Sequence, residues 1–125
     1  MASFLLIHGS WHGAWCWERL LPPLRARGHT ARAVDLPGHG EDRTPAWRIG
    51  LGSYARRIVD AAGALEVPPI LVGHSMGGMA ITQAAADAPT AFAGLVCLGV
   101  VGGAALAMPR LRDYRVGGTE PAPGA

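Results

Sequence analysis

The sequence predicts an α/β protein, a parallel sheet flanked by helices. Two observations carry the prediction. Short strand-like runs recur at Phe4–Ile7, Thr30–Val34, Ile70–Val72 and Leu95–Leu98, and helix-patterned segments stand between them. Strands alternating with helices at this spacing favour a parallel sheet with right-handed crossovers.

Each element has its own justification. Phe4-Leu5-Leu6-Ile7 is continuously apolar and stops at His8-Gly9, as a strand buried on both faces does. Trp15 to Arg27 reads as a helix closed by Gly28, with Trp17, Leu20, Leu21 and Leu24 on one face. Pro22 and Pro23 tolerate only an early turn or a kink there. Thr30 to Val34 is a second strand, broken by Asp35-Leu-Pro-Gly-His-Gly40 and a polar loop running to about Gly52. Ser53 is expected to cap a helix over Tyr54–Leu65 that turns Ala55, Ile58, Val59 and Ala62 inward. The Ile70–Val72 strand ends in the sharpest turn of the chain, Gly73 to Gly78, and an Ala-rich helix follows from Met76 to Ala86. The last strand is Leu95–Leu98. Residues 1–102 read as the domain and 103–125 as an irregular Gly/Ala/Pro-rich tail.

Composition narrows the classes. With 125 residues, 50% hydrophobic and 16% charged, the chain is one globular domain and not a disordered one. The net charge of +2 comes from scattered arginines without a single lysine, which argues against nucleic acid. Cys16 and Cys97 form no metal or disulfide framework and read as buried thiols of a reducing compartment. The start, Met1-Ala-Ser-Phe4, lacks a basic n-region, so the cytoplasm is the expected location. Ala88 to Pro109 carries no charge and is long enough to span a bilayer. Its prolines, glycines and alanines fit a buried strand and a small-residue loop better.

Gly73-His74-Ser75-Met76-Gly77 matches G-x-S-x-G between a strand and a helix. Such a turn holds its serine in a strained conformation above the sheet, and it crowds the flanking positions so that Gly73 and Gly77 are needed. Acyl transfer also needs two donors for the oxyanion of the tetrahedral intermediate. The Met76 N–H, at the helix start, is one candidate. The Ser10 N–H, in His8-Gly-Ser-Trp-His-Gly13 after the first strand, is the other. That loop lacks the glycine spacing and lysine of a nucleotide site, so no cofactor is expected. Among the histidines, His74 points away from Ser75, His29 is expected at the surface, and His8, His12 and His39 read as structural. His8 and His12 share no helical phase and have no nearby acid, so no metal is assigned.

The pieces Phe4-Leu-Leu-Ile-His-Gly-Ser-Trp-His-Gly-Ala-Trp-Cys-Trp17, Asp35-Leu-Pro-Gly-His-Gly40 and Leu71-Val-Gly-His-Ser-Met-Gly-Gly-Met79 resemble the α/β-hydrolase superfamily. They are most similar to its plant methylesterase and hydroxynitrile lyase branch and the bacterial esterases related to it. The likeness runs over residues 3 to 99 and implies the amino-terminal half of that fold. It also implies a serine hydrolase acting on a small carboxylic ester through an acyl-enzyme, with Ser75 as nucleophile and Ser10 and Met76 at the oxyanion hole. The lyases carry threonine where this chain has Gly9, which points away from cyanohydrin cleavage. The family order is serine, then acid, then histidine. Here no histidine follows Ser75, and the only later acids are Asp87, Asp113 and Glu120. A truncated hydrolase and a non-catalytic hydrolase-like remnant that binds a small ligand are both compatible with that. An incomplete sheet of this kind is expected to self-associate through an exposed edge.

Overall fold

The computed structural model describes residues 1–99, so the expected tail at 103–125 lies outside the described residues. Strands β1 (Ser3–Ile7), β2 (Thr30–Val34), β3 (Ile70–His74) and β4 (Gly94–Leu98) alternate with helices α1 (Leu21–Ala26), α2 (Leu51–Gly63) and α3 (Met76–Asp87). Short 3-10 turns stand at Ala14–Trp17 and Ala46–Arg48. The strands form one sheet in the order β2-β1-β3-β4, with every pairing parallel. The predicted fold class is therefore the observed one.

The strand order carries a consequence for function. The chain leaves β1 toward one side to make β2, then crosses back to the other side of β1 to make β3. Where the winding direction reverses, the loops leaving two adjacent strands part in opposite directions and open a crevice at their carboxyl ends. The loops after β1 and β3 flank that crevice.

Two apolar layers hold the sheet. On one face Leu5, Ile7 and Leu71 pack on Ala55, Ile58 and Ala62 of α2 and Ala80, Ile81 and Ala84 of α3. Alanines on both helices let their backbones come close to each other and to the strands. On the other face Leu6 and Val72 meet Trp17, with Phe4, Leu21 and Leu24 around them. Burying each large aliphatic side chain is worth roughly 1.5–3 kcal/mol. The layers thus set most of the stability.

Several local expectations are corrected. The helix expected over Trp15–Arg27 is divided into a 3-10 turn and the six-residue α1, because Pro22 and Pro23 sit in its first turn. Leu20, left at the break, is exposed. Helix α2 begins earlier than expected, and its N-cap is Gly50 rather than Ser53. The Ser53 hydroxyl instead accepts from the Gly50 N–H (2.9 Å) and donates to the Gly50 carbonyl (2.8 Å). Cys97 is exposed rather than buried, because no strand lies beyond β4 among the described residues. His29 is half-buried, with Nδ1 accepting the Ala2 N–H at 3.0 Å. No helix among the described residues is long and apolar enough to cross a membrane.

Candidate active site

Ser75 stands alone between the last residue of β3 and the first of α3, with φ 54° and ψ −118°. That left-handed conformation is costly for a residue with a Cβ and persists only where the surroundings enforce it. The enforcement is visible. The Ser75 N–H donates to the Leu98 carbonyl (3.1 Å), and the Ser75 carbonyl accepts the Gly78 N–H (2.9 Å). A Cβ on Gly73 would stand 2.6 Å from the Gly77 carbonyl, and one on Gly77 would stand 2.6 Å from the Ile7 carbonyl oxygen. Both glycines are therefore steric requirements of the turn. Gly78 is not: a Cβ there would make only an ordinary contact with Cys97, 3.6 Å from its sulfur. The close approach of α3 to the sheet rests on Gly77.

The loop after β1 lies directly against this elbow. A Cβ on Gly9 would be 2.9 Å from the His74 carbonyl oxygen and 3.1 Å from the Ser75 Cβ. Any larger residue, threonine included, would push the loop away from the serine. The Ser10 hydroxyl donates to the Met76 sulfur at 3.3 Å, so Ser10 and Met76 adjoin across the crevice. The Gly9 carbonyl accepts the His12 N–H at 3.3 Å and closes a tight turn whose third residue, Trp11, has φ 66°. Trp11 and Ser75 are the only non-glycine residues with positive φ among those described, and both belong to this site. Sequence reasoning missed Trp11, because nothing in an indole side chain signals a left-handed backbone.

The histidines are otherwise engaged. His8 is fully buried, its Nε2 accepting the Leu36 N–H (3.0 Å) and its Nδ1 lying 2.8 Å from the Gly9 carbonyl. With one nitrogen accepting and the other donating, the neutral ring has no site left for a serine proton. Burial pushes its pKa down, and the hydrogen bond to Gly9 opposes that only in part. His39 lies 3.0 Å from the Pro37 carbonyl and packs on His8. His12 stacks near Trp15 and His74, and its Nδ1 is buried without a hydrogen-bond partner among the described residues. Among the described residues no histidine hydrogen-bonds Ser75, and no group of three or more ligating side chains is arranged for a metal.

The second loop braces the first. Asp35 accepts the Ala14 N–H (2.8 Å) and the Glu41 N–H (3.2 Å), joining the segments after β1 and β2. Asp42 pairs with Arg57 at 2.6 Å. Its carboxyl is held well below the usual range by the Thr44 hydroxyl, the N–H groups of Gly38 and Thr44, and Arg57. Beside Ser75, a cleft of about 460 Å³ runs between α3 and β4, walled chiefly by Leu51, Met79, Thr82, Cys97 and Leu98. An exposed serine at the head of an apolar cleft, with a helix N-terminus behind it, suits attack on a carbonyl next to a greasy group.

Residues 4–125 match the alpha/beta hydrolase family, a match that continues past Gly99, where the motif likeness ended. Esterase PIR7B of Oryza sativa subsp. japonica is 41% identical over 85 residues, covering 65% of this chain and 32% of that protein. The crystal structure of the methylesterase MES16 from Arabidopsis superposes with TM-score 0.70 at 31% identity, over 78% of this chain and 42% of that one. Tomato methylketone synthase I, in a variant complexed with beta-ketoheptanoate, gives TM-score 0.70 at 33% identity, over 79% and 40% of the two chains. The chain thus spans about a third to two fifths of the length of the proteins it matches.

Proposed function

The chain belongs to the alpha/beta hydrolase family, and from that premise we propose that it carries the nucleophile and oxyanion half of a serine esterase site. One observation carries the reading: Ser75 is held at φ 54° on the strand-to-helix turn, with the loop after β1 packed against it. In the proposed reaction the Ser75 Oγ bonds to the carbonyl carbon of a small carboxylic ester and loses its proton to a base. The N–H groups of Ser10 and Met76 stabilise the oxyanion, the alcohol leaves with a proton, and water then hydrolyses the acyl-serine. Neither N–H donates to another described residue.

The base is the limiting element. His8 has both nitrogens engaged and no described histidine reaches Ser75, so the serine keeps the weak nucleophilicity of an alcohol. The 125-residue chain is expected to release p-nitrophenol from p-nitrophenyl butyrate several orders of magnitude more slowly than a complete relative. Imidazole added to the assay supplies a base from solution. It should produce a burst no larger than the protein present and one butyryl group on Ser75 by intact mass, both lost in Ser75→Ala. Identical traces for the wild-type chain and Ser75→Ala would overturn the proposal and leave a hydrolase-like fold without chemistry.

A further inference from the structure

The loop after β2 and the first turns of α2 enclose another cleft, of about 250 Å³, whose walls all come from the stretch between Pro37 and Asp60. It shares no residue with the cleft beside Ser75. One carboxylate ties its walls together. Asp42 accepts the N–H groups of Gly38 (2.9 Å) and Thr44 (2.8 Å) and pairs with Arg57 of α2 at 2.6 Å. Arg57 also donates to the Asp35 carbonyl at 3.0 Å. Bonds inside the protein thus shape the cleft before any ligand arrives, which lowers the ordering cost of binding.

The charges lining this cleft do not balance. Arg48, Arg56 and Arg57 stand in its walls, and Asp60 is the one acid among them. Arg57 is matched by Asp42, whereas among the described residues neither Arg48, Arg56 nor Asp60 forms an ion pair. Arg48 is steadied by Trp47, its guanidinium 5.3 Å from the ring centroid, where the π face attracts a cation. Like charges gathered around a concavity raise the local potential and concentrate ions of the opposite sign. Guanidinium forks meet the oxygens of such an ion two at a time.

From a braced cleft with an excess of arginine, we infer that this face binds a phosphate dianion, as inorganic phosphate or as the terminal group of a small phosphate ester. A phosphate suits the walls better than a carboxylate does. It brings two negative charges to the two arginines that lack a partner. Its oxygens also point in tetrahedral directions, so that forks approaching from different walls can each find a pair of them. Asp60 opposes the anion and keeps the affinity moderate. Binding there uses no residue of the Ser75 site.

Titration calorimetry of the full chain with sodium phosphate, at constant ionic strength and about pH 7.5 where the dianion dominates, should saturate at one phosphate per chain. Arg48→Gln and Arg56→Gln, both at exposed positions, should each weaken binding about tenfold, the worth of one charge-assisted hydrogen bond. Asp60→Asn should tighten it about threefold. Arg27→Gln removes the same net charge from an exposed position outside the cleft and should leave the affinity within about twofold. Glycerol 3-phosphate binding more tightly than inorganic phosphate would identify the ligand as an ester, and the reverse order as the free ion; either upholds the site. Phosphate heats that never saturate would overturn the inference. So would equal losses in Arg27→Gln and Arg56→Gln, or succinate binding as tightly as phosphate, since both describe an unselective positive surface.

Discussion

The side of the sheet around β1 and β2 is tied together by side-chain hydrogen bonds as well as packing, while among the described residues the side around β4 is held by backbone hydrogen bonds to β3 and its flanks and by α3 on one face. Around β1, the ring of His8 fastens Leu36, Asp35 fastens Ala14 and Glu41, and Arg57 fastens Asp42. Around β4, the Leu98 carbonyl holds the Ser75 N–H, and α3 covers one face near Cys97. The difference teaches that apolar sequence does not by itself make a buried strand. Phe4-Leu-Leu-Ile7 and Leu95-Val-Cys-Leu98 are similar strings, yet Leu5, Leu6 and Ile7 are fully buried and Leu95, Val96 and Leu98 are not. A strand is buried only when elements lie on both faces and both flanks.

The contrast should show most strongly in truncations. Leu71→Ala opens a cavity where a fully buried leucine packs between β1, α2 and α3, and it should cost about 3 kcal/mol. Leu98→Ala, at the end of β4, should cost less than about 1 kcal/mol, both read from urea unfolding at one protein concentration. Equal losses would break the comparison.

A pH series sharpens it next. Burial holds the His8 pKa below its ordinary 6.5, so the unfolded chain takes up this proton before the folded one does. The contribution is complete above about pH 6.5 and is lost as the pH falls from there toward the lowered folded value. His8→Asn should flatten that part of the stability profile. A profile that keeps its slope would assign the titration to another group.

The smallest effect concerns the loop that joins the two sides. Trp11 holds φ 66° while its side chain is 95% exposed, so its indole gains little from the protein. Trp11→Gly should leave the turn in place and gain about 1 kcal/mol by removing the left-handed strain. A loss in the melting temperature would mean the indole packs on something that its exposure conceals.

What the chain encodes locally was legible. β2 spans Thr30–Val34 as read from its pattern, and the strand, glycine and helix signals around Ser75 specify a turn that only Gly73 and Gly77 permit. Such features depend on a few adjacent residues and on steric rules that act within them. That Ser10 and Met76 adjoin was legible only as an expectation, since the sequence supplies the two segments and the reversal of winding between β1 and β3 brings them together. Tertiary structure alone decided the rest. The pairing of His8 with Leu36 and the joining of Asp35 to Ala14 each depend on what a distant segment does. Hydrophobic pattern says that a residue gains by leaving water. Which neighbour receives it, and whether one is there at all, is settled when the layers meet.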